Sequence, residues 1–165
     1  MHATFVGEQT VAFNDVVLVR VPGRGGSAAV ELRVEGQQFL RYAADALVVS
    51  TPTGSTAYAF SAGGPIVSPS AEGLLVIPSA PHSAFNRALF LSAGEKLELH
   101  VLERSATLAV EADGRVVGYV GSGDVVDVSL LAGAARVVRL GRTTFYQRAQ
   151  RRLRLTGSAE VDLPT

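Results

Sequence analysis

Ala46-Leu-Val-Val-Ser50 runs straight into Thr51-Pro-Thr-Gly-Ser-Thr-Ala-Tyr58 and on through Ser61-Ala-Gly-Gly-Pro-Ile-Val67. The first five residues read as a strand with apolar side chains facing both ways, and Pro52, which lacks a backbone donor, stops it. The chain must turn there. Gly54 opens backbone conformations closed to other residues, Ser55 and Thr56 offer hydroxyls and an N-cap, and Thr56 to Ala62 reads as a short helix whose free N–H groups face the strand end. Hydroxyls, glycines and a helix start gathered after a buried strand suit a polar ligand, phosphate and ribose oxygens above all.

Outward from that stretch the chain is mostly strand, because β-branched runs alternate with turn signals at short spacing. Val11 to Val21 and Ala28 to Val34 flank Pro22-Gly-Arg-Gly-Gly-Ser27 and read as a long hairpin, while Gln37 to Tyr42 leads into the strand that follows Asp45. Leu74 to Ile77, Lys96 to Val101, Thr107 to Glu111, Arg115 to Val120, Val125 to Leu130 and Ala135 to Leu140 supply the remaining strands, with Asp113-Gly114 as a two-residue hairpin turn. The expected fold class is therefore mainly all-β: two packed sheets or a distorted sandwich. From Thr143 to Arg152 the spacing of Phe145, Tyr146, Ala149 and Leu153 predicts a C-terminal amphipathic helix with Arg148, Arg151 and Arg152 on its other face.

Composition narrows the function classes. With 165 residues, 47% hydrophobic and 18% charged, the chain can bury one sizeable core, and its formal net charge of zero leaves no nucleic-acid footprint. Seven of the 15 Lys and Arg residues lie between Arg136 and Arg154, yet without interleaved aromatics they read as a solvated helix face. The apolar runs are shorter than a bilayer span and the first residues lack a signal-peptide pattern, so neither nucleic acid nor membrane is an expected partner and a cytoplasmic location is the default. There is no cysteine, and His2, His82 and His100 are too scattered to suggest a metal cluster.

The stretch from Asp45 to Val67 resembles the signature of the NAD kinase family, in which an aspartate precedes a Thr-Gly-Ser-Thr-Ala-Tyr run by eight residues and a Ser-Ala-Gly-Gly-Pro-Ile run follows. Phe13-Asn14-Asp15-Val16-Val17 is similar to the family's Asn-Glu pair and strand, Pro78-Ser-Ala-Pro-His82 with Asn86-Arg87 to its Pro-x-x-Pro-His segment, and Val110-Glu-Ala-Asp-Gly114 to its Asp-Gly hairpin. Four motifs in the family's order make the signal specific. The family's Gly-Gly-Asp-Gly-Thr loop, from an N-terminal α/β domain and thought to carry the base, does not occur, so residues 1 to 165 resemble the C-terminal, NAD-binding β-rich domain alone.

That resemblance implies phosphoryl transfer from ATP or polyphosphate to the adenosine 2′-hydroxyl of NAD, with a divalent cation, magnesium, arriving with the phosphates. It assigns Asn14 and Asp15 to a ribose, Asp15 standing one methylene shorter than the usual glutamate, and gives Asp45 a nucleotide role. Thr53, Thr56, Ala57, Tyr58 and Ser61 form the wall of the pocket, Tyr58 offering a flat face to a base. Each has a bland alternative: a turn entering a strand for Asn14 and Asp15, a strand cap for Asp45, core packing for Tyr58, and for His82 an imidazole satisfied by local backbone. No catalytic residue and no metal ligand is expected within these 165 residues, and the chain alone should bind weakly or not at all and transfer little. The resemblance also implies a homodimer or homotetramer and a C-terminal segment that returns toward the missing domain. Two other classes stay open: a non-catalytic β-domain, and the C-terminal domain of a diacylglycerol- or sphingosine-type lipid kinase.

Overall fold

The computed structural model describes residues 1–23, 25–82, 85–138 and 141–156. Twelve strands form in chain order: β1 (His2–Phe5), β2 (Glu8–Val11), β3 (Asp15–Arg20), β4 (Ala28–Val34), β5 (Gln37–Ala44), β6 (Ala46–Ser50), β7 (Gly73–Ser79), β8 (Leu89–Ser92), β9 (Leu97–Val101), β10 (Leu108–Ala112), β11 (Arg115–Val120) and β12 (Val125–Ser129). They build two antiparallel six-stranded sheets, one ordered β2-β1-β12-β9-β4-β5 and the other β11-β10-β3-β6-β7-β8. The mainly all-β expectation holds.

The principal core lies between the sheets. Val30, Leu32, Leu97, Leu99, Val126 and Val128 come from the first sheet, and Val16, Leu18, Leu47, Val49, Leu74, Val76 and Val110 from the second. Alternate residues of the second sheet's central strands, Val17, Ala46, Val48, Leu75 and Ile77, pack on the opposite face against Ala59 of a short helix, α1 (Tyr58–Ser61). A strand buried on both faces needs apolar residues at every position rather than every second one. This is why Val16-Val-Leu-Val19 and Ala46-Leu-Val-Val49 read as continuous runs. It also fixes α1 over the second sheet.

Several expectations change. Pro22 to Ser27 is not a hairpin loop: β3 pairs with β10 and β6 while β4 pairs with β5 and β9, so the connection carries the chain from one sheet to the other. Two-strand periodicity says nothing about which sheet a strand joins. The predicted strand from Val11 divides, because β2 ends at Val11 and residues 12 to 14 bend before β3 starts. Residues 135 to 138 of the predicted Ala135 to Leu140 strand are not strand, and Arg139 and Leu140 lie outside the described residues. The four-residue strands β1, β2 and β8 are too short to show a period in sequence. Asp113 and Gly114 do form the two-residue turn between β10 and β11, both at positive φ, 48° and 76°.

Residues 136 to 165 form a separate compact unit. Its helix, α2 (Phe145–Leu153), meets the predicted Thr143 to Arg152 span within two residues. Thr144 caps it through a reciprocal pair with Gln147, the threonine hydroxyl accepting from the Gln147 amide and the Gln147 side chain accepting from the Thr144 amide.

Candidate functional site

β3 and β6 are antiparallel neighbours in register, Asp15 opposite Ser50 and Val19 opposite Ala46. Their shared ends are the two places where the sequence puts polar residues. At one end lie Asn14, Asp15, Ser50 and the Thr51 to Ser61 segment, and at the other lie Arg20 and Asp45.

The first end is built by backbone hydrogen bonding. Residues 13 to 15 leave the sheet pattern, so their main-chain groups need partners elsewhere. The Asp113 carboxylate supplies three: it accepts from the amides of Phe13 at 2.8 Å, Asn14 at 2.7 Å and Asp15 at 3.2 Å, while the Asp113 amide donates to the Asp15 carbonyl at 3.0 Å. The carbonyls are met from β6. The Thr51 amide and the Ser50 hydroxyl donate to the Asn14 carbonyl at 2.8 and 3.2 Å, and the Thr51 hydroxyl donates to the Phe13 carbonyl at 2.8 Å. Thr51 also accepts from the Gly54 amide at 3.0 Å, binding the next turn to the same knot.

The segment after β6 is less regular than the expected helix from Thr56 to Ala62. Thr53–Thr56 is a 3-10 turn, Ala57 breaks it at φ −103° and ψ −129°, and only Tyr58–Ser61 is α-helical. Gly54 lies so close beneath the bend that a Cβ there would overlap the Asn14 carbonyl and come within 2.6 Å of the Ser50 hydroxyl. Neither Ser55 nor Thr56 acts as the N-cap. The buried Ser55 hydroxyl instead clamps Val67, accepting its amide at 3.0 Å and donating to its carbonyl at 3.2 Å. That clamp joins the two halves of the quoted stretch.

Asp15 is buried, and the backbone amide of Tyr58, at the start of α1, lies near its carboxylate. Burial, and then the charges of Asp113 and Glu111, push its pKa above the ordinary 3.8, against the lowering effect of the Tyr58 amide. The Asp15 carboxylate thus sits against the start of α1. Around it stand groups that are not spent. Asn14, Thr53, Thr56 and Ala57 are half-buried and Tyr58 and Ser61 exposed, and the side-chain polar atoms of Asn14, Thr53, Thr56, Tyr58 and Ser61 have no hydrogen-bond partner among the described residues. Tyr58 does not pack into the core.

Asp45 is elsewhere. Ser50 is five residue steps away along β6, about 17 Å at the usual rise per residue. Its carboxylate takes the Arg20 guanidinium at 2.7 Å, both side chains about two fifths exposed. One chain therefore gathers Asn14, Asp15, Thr53, Thr56, Ala57, Tyr58 and Ser61 at one end of β6 and leaves Asp45 at the other. His82 is exposed beyond β7, its amide bonded to the Ala43 carbonyl. Among the described residues no three His, Asp or Glu side chains are grouped to hold a metal ion.

The role of Asp113 is what the sequence did not disclose. It sits about a hundred positions from the amides it binds, and an Asp-Gly turn explains itself locally. Ser50 reads in the sequence only as a strand end, and Thr51 and Gly54 only as turn residues, without their partners.

Residues 13–140 match the model of the ATP-NAD kinase C-terminal domain. The chain is 45% identical over 145 residues to NAD kinase 1 of Streptomyces avermitilis, covering 88% of this chain and 40% of that protein. It is 33% identical over 151 residues to the NAD kinase of Moorella thermoacetica, covering 92% of this chain and 48% of that protein. It thus spans two fifths to half the length of these relatives. Among solved structures it resembles yeast NADH kinase complexed with NADH, at TM-score 0.70 and 30% identity over 78% of this chain and 38% of that one. It also resembles an NAD kinase from Archaeoglobus fulgidus in complex with ATP, at TM-score 0.62 and 30% identity over 76% of this chain and 49% of that one. The two-sheet fold, the motif order and the matched span agree, and the chain belongs to the ATP-NAD kinase C-terminal domain family.

Proposed function

We propose that this chain is the NAD-holding part of an NAD kinase, a protein that transfers a phosphoryl group from ATP or polyphosphate to the adenosine 2′-hydroxyl of NAD. One observation carries the reading. At the Asn14 end the main-chain groups of residues 13 to 15 are engaged while the neighbouring amide and hydroxyl side chains are free, which is the condition of a site organised before its ligand arrives. The Asn14 amide can donate and accept at once, suiting a sugar diol, and Tyr58 offers an exposed ring face to a base. The chain's contribution to the chemistry is to hold one reactant so that a hydroxyl meets the phosphoryl donor in line. The proton acceptor and the phosphate-organising loop belong to the upstream part of the longer protein, and a divalent cation would come with the donor's phosphates.

Asp45 can join the same NAD molecule only if the ligand reaches along β6 or if a second copy of the chain brings its own Asp45 alongside. The homo-oligomer implied by the family supplies the second route. No helix among the described residues is long and apolar enough to cross a membrane, and the proposed setting is the cytoplasm.

The test is NADP formation by this chain within the full-length kinase. Asn14→Ala should raise the NAD concentration needed for half-maximal rate by roughly 10-fold and leave the ATP requirement unchanged, since one ribose hydrogen bond is lost. An altered ATP requirement with an unaltered NAD requirement would reverse the assignment of the pocket.

A further inference from the structure

We propose that Asp113 is a positioning residue of the NAD site, presenting the Asn14 side chain through the three backbone amides its carboxylate accepts. The inference rests on the reading of the Asn14 end as that site. Three successive amides converging on one carboxylate at 2.7 to 3.2 Å form charge-assisted hydrogen bonds, shorter and stronger than neutral ones. Nothing in the β10–β11 turn requires that charge. Asn-Gly and Gly-Gly satisfy a two-residue turn with both residues at positive φ as well as Asp113-Gly114 does. The charge moreover acts against its neighbour, because Asp113 stands close enough to repel the buried Asp15 carboxylate. What the carboxylate does is fix the peptide planes on both sides of Asn14, while Ser50 and Thr51 take the carbonyls of the same residues. With both edges of the bend held, the direction in which the Asn14 side chain leaves the backbone is set from β10 and β6 together. Asp113 touches no ligand in this scheme and acts through Asn14.

Asp113→Asn and Asp113→Gly both keep the turn and break the amide cluster: asparagine places an NH2 where a second acceptor oxygen stood, and glycine removes the side chain. Each is combined with Asn14→Ala. NAD titrations of the full 165-residue chain are followed by backbone amide shifts, which report binding into the millimolar range, and thermal denaturation checks that each variant folds. The expected results are faster hydrogen exchange at Phe13, Asn14 and Asp15, an unchanged Gly121 amide, which is held by Asp124 on another turn, and a dissociation constant raised roughly 10-fold. Asn14→Ala should then cost less than about twofold more in either Asp113 background, as residues acting as one unit do. Full multiplication of the single-variant losses would overturn the positioning role. So would unchanged exchange at the three amides. An absence of NAD-dependent shifts both in the wild-type chain and in the full-length kinase that carries it would instead overturn the NAD reading and this inference with it, a result distinguishable from additive losses in a protein that binds.

Discussion

The two ends of the β3–β6 pair differ in what holds them and in what they leave free. At the Asn14 end, the backbone of three residues is bonded to Asp113, Ser50 and Thr51, Asp15 is buried against the start of α1, and the remaining polar side chains are unspent. At the Asp45 end, the one candidate side chain is already taken by Arg20 in an ion pair open to solvent. The first end is costly to disturb and has its side chains free, as the proposed site requires, and the second is cheap to disturb and occupied. A rigid main chain with free side chains is the better predictor of a site than a charged residue in the right sequence register, because a ligand must otherwise displace what is there.

The sharpest way to break this contrast is Gly54→Ala. Its Cβ would press on the Asn14 carbonyl, a backbone atom fixed by its own hydrogen bonds, so relief requires moving the bend itself. A loss of about 3 kcal/mol in folding stability is expected, together with loss of NAD binding in whatever folds. Chemical denaturation measures the first, and a variant as stable as wild type would mean that the two segments are held less tightly than the contrast requires.

Asp15→Asn is a milder probe of the same end. Burial and the Asp113 and Glu111 charges raise the folded-state pKa of Asp15 above 3.8, so the folded chain holds a proton more tightly than the unfolded one just above that pH. Ionising Asp15 as pH rises through this interval therefore removes stability. Asparagine keeps an acceptor for the Tyr58 amide and does not ionise. The stability of the variant relative to wild type should consequently improve as pH climbs out of the acid range. Denaturation curves at a series of pH values read it, and a difference independent of pH would place the Asp15 carboxylate in a water-like environment.

The smallest effects belong to the other end. Arg20→Ala should cost less than about 1 kcal/mol, as exposed ion pairs do. Asp45→Asn should leave NAD binding untouched at dilutions where the protein sediments as a monomer, and should weaken it only in an assembly that brings a second Asp45 to the pocket. Equal weakening in the monomer would show that the ligand reaches along β6.

Much of this was legible in the sequence, and unevenly. Ala46 to Ser50 announced a strand buried on both faces, and Asp113-Gly114 announced its turn, since both depend on residues within reach of each other along the chain. The crossing between β3 and β4 was misread as a hairpin because sheet membership is decided by partners such as β10 and β9 far along the sequence. At the site, the family resemblance singled out Asn14, Thr53, Thr56, Tyr58 and Ser61, which the structure gathers at one end of β6. Residue types could not reveal that Asp15 is buried against the start of α1, that Ser55 clamps Val67 rather than capping a helix, or that Asp45 lies a strand's length away, because each of these is a statement about distance in space.

The most direct test of the central claim is a map of backbone amide shifts in this chain as NAD is added. The account predicts saturable shifts at Asn14, Asp15 and the Thr53 to Ser61 segment, with those amides moving together along one binding curve. Shifts confined to the segment around α2, or to strands remote from that end of β6, would contradict it.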